Sequence, residues 1–132
     1  MYDYKIAGVI MLKDSLYFIR ENSTKNNAVE AVIILDLEHA IFKGHFPGNP
    51  VLPGACMLQM VKELLETSLH MPLQLLKADE IKFLAIIQPN AEELLFSIQY
   101  NYIEKTVLKI TAKITKNNIV CFKMKGSFKQ EG

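Results

Sequence analysis

One histidine, His45, stands in the run Gly44 to Gly54, which holds three prolines and three glycines. Proline fixes φ near −65° and glycine admits positive φ, so this run reads as a shaped loop with little freedom to move. A histidine held in such a loop can act as a base at neutral pH, because its unperturbed pKa is about 6.5. An apolar helix is expected directly after the loop, and the first polar side chain inside it is Gln59. An amide donates and accepts hydrogen bonds but exchanges no proton as a carboxylic acid does. Gly54 opens the helix, where oriented N–H groups and the helix dipole favour developing negative charge. A base and a neutral hydrogen-bonding group are thus drawn from one stretch of chain.

The elements that must position these groups are strands around a single helix. Ala55 to about Leu69 is the one long helix expected. It is apolar on almost every face through Cys56, Met57, Leu58, Met60 and Val61, then amphipathic with Lys62, Glu63 and Glu66 opposite Leu64, Leu65 and Leu69. A helix apolar all round at one end is enclosed by protein there. Ser15–Glu21 and Ala28–Leu37 read as strands separated by a turn over Asn22–Asn27, and a second β region begins at Leu75–Ile87. Glu93–Tyr102 alternates, with Leu94, Phe96, Ile98, Tyr100 and Tyr102 on one face. Leu108–Thr115 alternates as well, Asn117-Asn118 suits a tight hairpin, and Ile119–Phe128 completes the sheet. The expected architecture is α+β: one helix wrapped by a largely antiparallel sheet, a single domain over residues 1–132.

Composition narrows the function. The chain is half hydrophobic with 22% charged residues, enough for a core, and its net charge of +1 carries no signature of nucleic-acid binding. No segment approaches the length of a transmembrane helix, and the apolar run Ile6–Leu12 lacks the features of a signal peptide. Cys56 and Cys121 form no metal or redox spacing, which reads as two packed, reduced thiols in a cytoplasmic protein. Cys56 falls in the first helical turn, where a thiol pKa can be lowered, although packing or lining a tunnel is the plainer role. His39 reads as a loop residue and His70 as a surface residue at the helix end. The three histidines make no ligand set, so neither metal nor cofactor is expected.

The run Gly44–Gly54, the helix after it and the strand Lys77-Ala78-Asp79-Glu80-Ile81-Lys82-Phe83 resemble the β-hydroxyacyl-acyl carrier protein dehydratases. The resemblance extends from roughly Asp36 to the C-terminus, and His-Phe-Pro-Gly-Asn-Pro is its specific part. It implies the hotdog fold, an antiparallel sheet curled around a long helix. It also implies a homodimer, or an assembly of dimers, with acyl tunnels at the interface and each site shared between subunits. By this resemblance His45 is the catalytic histidine and the Gly54 N–H polarises the thioester carbonyl. Position 59, fourteen residues after the histidine, is where the family keeps a catalytic Glu or Asp, and here it is Gln59. Phe46, Pro53, Cys56, Met57 and Met60 then line the acyl-binding site.

Dehydrating a 3-hydroxyacyl thioester requires removal of an α-proton, stabilisation of an enolate-like oxygen and departure of the hydroxyl as water. His45 and Gly54 serve the first two steps; Gln59 has no proton to give to the third. General acid–base catalysis contributes about 10²–10⁴-fold, so dehydration by the chain alone is expected to be weak. Three classes of function follow: a dehydratase variant acting on acyl carrier protein substrates, alone or in a heterodimer with an acid-bearing paralogue; a thioesterase acting on carrier or coenzyme A thioesters; and a non-catalytic acyl-binding subunit. Carrier proteins are acidic, and Lys43, Lys77 and Lys82 are the basic residues nearest the motif segments.

Overall fold

The computed structural model describes residues 11–44 and 48–131. His45 and Phe46 lie outside the described residues, as does most of the run Ile6–Leu12.

The chain folds into β1 (Tyr17–Lys25), β2 (Ala28–Leu35), a short α1 (Ile41–Gly44), the long α2 (Gly54–Leu69), β3 (Leu73–Phe83), β4 (Leu94–Glu104), β5 (Val107–Lys116) and β6 (Ile119–Gln130). The six strands form one antiparallel sheet in the order β1-β2-β4-β5-β6-β3. With α2 packed on one of its faces, this is the hotdog arrangement.

Alternation in the sequence explains the inner face. Leu94, Phe96, Ile98 and Tyr100 of β4 and Leu108, Ile110, Ala112 and Ile114 of β5 are all buried. They meet buried Cys56, Met57, Met60, Val61, Leu64 and Leu65 of α2 in one core. Tyr102 shares the parity of its neighbours but is exposed. Asn26-Asn27 and Asn117-Asn118 both adopt positive φ (52° and 62°, 52° and 64°), the geometry of a two-residue hairpin turn. The first turn is therefore shorter than expected. Asn22, Ser23 and Thr24 continue β1, paired with Ala31, Glu30 and Val29.

Helix α2 stops where His70 turns left-handed (φ 56°) and closes the last turn through its backbone N–H on Glu66 O. The Glu66 side chain then accepts from Leu73 N at 2.8 Å and fixes the start of β3. β3 is an edge strand, and it shifts register against β6 at two points. Between them the backbones approach so closely that a Cβ on Gly126 would stand 2.5 Å from Lys77 O.

Candidate active site at the start of the central helix

Pro53 precedes α2 in extended conformation (φ −66°, ψ 147°) and offers no side-chain cap. The N–H groups of Cys56 and Met57 both donate to Pro53 O. Those of Gly54 and Ala55 find no acceptor among the described residues, and no acidic residue stands in the first turn. Among the described residues nothing caps the positive end of this sixteen-residue helix, which favours an anionic oxygen. Leu52 N donates to Ile87 O at 2.7 Å and anchors this helix start to the segment after β3.

The Phe83 ring covers Gly54: a Cβ there would lie 2.6 Å from Phe83 Cζ, so only glycine keeps the ring against the backbone. Around this point Pro53, Gly54, Met57, Phe83, Leu84 and Ile86 line an apolar cleft of about 390 Å³. That is within the range of small-ligand sites, roughly 300–1,000 Å³.

Gln59 faces a different cleft, of about 490 Å³, with Leu58 and Lys62 of α2, Leu73 and Leu75 of β3 and Phe128 of β6. Its amide nitrogen donates to Glu63 Oε2 at 2.8 Å. Glu63 was expected on the solvated face of the helix; it is completely buried. A buried carboxylate must be paired, and this one accepts three further bonds, from Leu12 N (2.8 Å), Lys13 N (2.9 Å) and Tyr17 Oη (2.9 Å). Burial first, and then the Glu63 charge, hold the Tyr17 phenol above its ordinary range.

The same two causes, in the same order, push the Cys56 thiol up to about 11. At the helix start a lowered thiol was conceivable, but burial dominates, and Cys56 is a packed, protonated thiol at neutral pH. Met60 lies wholly in the core. Neither residue lines the two clefts, and of the helix methionines expected along an acyl tunnel only Met57 reaches a cleft wall.

Within one chain, Pro53, Gly54 and Met57 are brought together and Gln59 is set apart. The linings of the two clefts share no residue. His39, expected as a plain loop residue, accepts at Nδ1 from Ile41 N (3.1 Å) and meets Ser15 Oγ through Nε2 (3.1 Å), securing the start of α1. Of the basic candidates, Lys77 pairs with Asp79 (3.3 Å) and Lys82 with Glu80 (2.9 Å), while Lys43 is exposed on α1. Glu63, Tyr17 and Phe83 were missed as site residues. For Glu63 a signal existed, since it lies one turn from Gln59 at i+4 on the same helix face.

A model of the ApeI-like family, described as ApeI dehydratase, matches residues 20–126. The 3-hydroxyacyl-acyl-carrier-protein dehydratase FabZ of Latilactobacillus sakei is 48% identical over 29 residues, which span 22% of this chain and only 21% of that protein. The structure of the dehydratase heterocomplex ApeI:P from Xenorhabdus doucetiae superposes with a TM-score of 0.69 at 21% identity, over 85% of this chain and 96% of that one. A hypothetical thioesterase with coenzyme A from Streptococcus pneumoniae superposes at 0.64 with 14% identity, over 92% and 94% of the two chains. At such identities these superpositions establish the shared hotdog fold.

Proposed function

The chain belongs to the ApeI-like dehydratase family, and we propose that it acts on 3-hydroxyacyl thioesters, presented by an acyl carrier protein, in fatty-acid or related acyl-chain synthesis. The observation that carries this reading is Gly54, whose N–H finds no acceptor among the described residues, at the mouth of an apolar cleft directly after the His45 loop. The thioester carbonyl meets the Gly54 N–H, and the acyl chain lies along Phe46, Pro53, Met57 and Phe83, with Cys56 and Met60 packed behind. His45 takes the α-proton, and the negative charge that develops on the carbonyl oxygen is held at the helix start. The Cα=Cβ bond then forms as the C–O bond to the 3-hydroxyl breaks. With Gln59 unable to donate a proton, protonated His45 must return its own to the leaving hydroxyl, which departs as water. That single relay makes the chain a slow dehydratase unless a partner supplies an acid.

A second subunit is part of the proposal. Gly54 and Gln59 front separate clefts of one chain, so a site containing both groups needs a second copy or a paralogue. The edge strand and its continuation expose Phe83 (57%), Leu84 (53%) and Ile86 (68%), an apolar border of the kind an interface covers. The ApeI:P structure is named as a heterocomplex, which supports pairing with an acid-bearing paralogue as an alternative to a homodimer. Two unbridged cysteines suit the reducing cytosol. No helix among the described residues is long and apolar enough to cross a membrane.

The test is to incubate the purified chain with a 3-hydroxyacyl-carrier protein and follow enoyl formation and free thiol together. Slow enoyl formation abolished by His45→Ala supports the reading. Thiol release without enoyl product replaces it with thioester hydrolysis.

A further inference from the structure

Glu63 does more than bury a charge. Its four bonds come from three parts of the molecule: the backbone at Leu12 and Lys13, the phenol of Tyr17 and the amide of Gln59 one turn back on α2. An ionised carboxylate only accepts, so the Gln59 side chain has one orientation open to it, NH₂ toward Glu63. A flipped amide would set two acceptors against each other, and Glu63 cannot turn away because three other donors hold it. The Gln59 carbonyl oxygen, which has no partner among the described residues, is the acceptor left for a ligand. The cleft it serves has apolar walls from Leu58, Leu73, Leu75 and Phe128, with Lys62, Gln74 and Glu131 as its other polar residues.

We propose that Glu63 is the positioning residue of this site: it turns Gln59 into a fixed hydrogen-bond acceptor, so that the site selects acyl chains bearing a hydroxyl donor over their deoxy counterparts. This rests on the thioester reading above, and the experiment separates the two. Calorimetric titration compares non-hydrolysable 3-hydroxyacyl-pantetheine with the deoxy acyl-pantetheine of equal length. The wild type should favour the hydroxyl ligand by about tenfold, the scale of one hydrogen bond to a partly exposed group. Glu63→Gln can hold only part of the donor set and frees the Gln59 amide, so the preference should fall below about twofold with deoxy affinity kept. Glu66→Gln, the same change at a carboxylate that holds the Leu73 N–H, should keep the preference and so exclude a general structural effect.

A second measurement needs no ligand and no variant of Glu63. In ¹⁵N-labelled wild type the Gln59 side-chain amide, assigned by its loss in Gln59→Met, should show one downfield, exchange-protected proton. A freely exchanging, averaged pair overturns the inference, as does a Glu63→Gln protein that keeps the hydroxyl preference. If neither ligand binds the wild type while that proton stays protected, the functional reading falls, and the orienting role of Glu63 stands without it.

Discussion

Replacing Gln59 with glutamate restores the residue type that the dehydratase resemblance places there, yet the structure predicts more than a restored acid. Gln59 Nε2 stands 2.8 Å from Glu63 Oε2, so Gln59→Glu sets two carboxyls within contact. Two charges 4 Å apart repel by about 4 kcal/mol at an effective dielectric of 20. Screening at the partly exposed position 59 leaves about 2–3 kcal/mol, which lifts the introduced carboxyl from about 4.3 to about 6. Below that pH it keeps one proton, which rests on the bond to Glu63 and passes to the leaving hydroxyl as general acid when substrate binds, leaving both carboxylates charged until solvent returns it; above it the pair repels. Enoyl formation should then exceed wild type by at least about tenfold near pH 6 and fall back toward pH 8.

Stability follows the same titration. A carboxyl whose folded pKa is raised leaves stability intact below its unfolded value of about 4.3 and erodes it as pH rises through about 6. The urea midpoint of the variant should therefore match wild type near pH 4 and correspond to a loss of about 2–3 kcal/mol at pH 8. Adding Glu63→Gln removes the second charge, and with it both the pH-linked loss and the raised proton affinity. A Gln59→Glu protein whose midpoint tracks wild type at every pH would refute the reasoning, because the two side chains would then not be neighbours.

Gly126→Ala drives a Cβ against the Lys77 carbonyl at 2.5 Å, where backbone must move; urea denaturation should show a loss of about 1–3 kcal/mol. Burial, opposed by Asp36, holds the His39 pKa below its ordinary value. Its contribution to stability is thus present above about pH 6.5 and lost as the pH falls through the depressed value. Urea midpoints taken on both sides of that window should converge in wild type and His39→Leu on the acid side only. Phe83→Glu places a charge on the exposed apolar border beside Gly54; if the proposed interface forms there, sedimentation should show a smaller species than wild type while the far-ultraviolet spectrum stays unchanged.

The strands of the sheet's centre were legible because their two faces differ. Leu94, Phe96 and Ile98, and likewise Leu108, Ile110 and Ile114, had to point one way, and they are the residues found inside. Edge strands gave weaker signals. Asn22, Ser23 and Thr24 are exposed in β1 and hold their place by backbone pairing with β2, so their polar side chains read as a turn. At four residues, α1 is too short for any periodicity. The candidate site was half legible. Gly54 and Gln59 stood out by type and spacing, whereas the role of Glu63 depends on Leu12 and Lys13, about fifty positions away, and no local pattern records that meeting.

Glu63 also decides where an acid for the reaction can come from. A carboxylate lies one helical turn from the position that lacks it, and it is natural to ask whether it substitutes. It does not. Each of its oxygens already accepts two bonds, and the group is wholly enclosed. Its bonds tie the segment before β1 to α2 and leave neither oxygen facing a ligand. The chain therefore spends its helix carboxylate on architecture and presents a neutral amide to the cleft. If the chain performs the proposed dehydration, the proton for the departing hydroxyl then has two sources left, His45 or another subunit, and a partner that carries an acid beside this site should raise the rate where Glu63 does not.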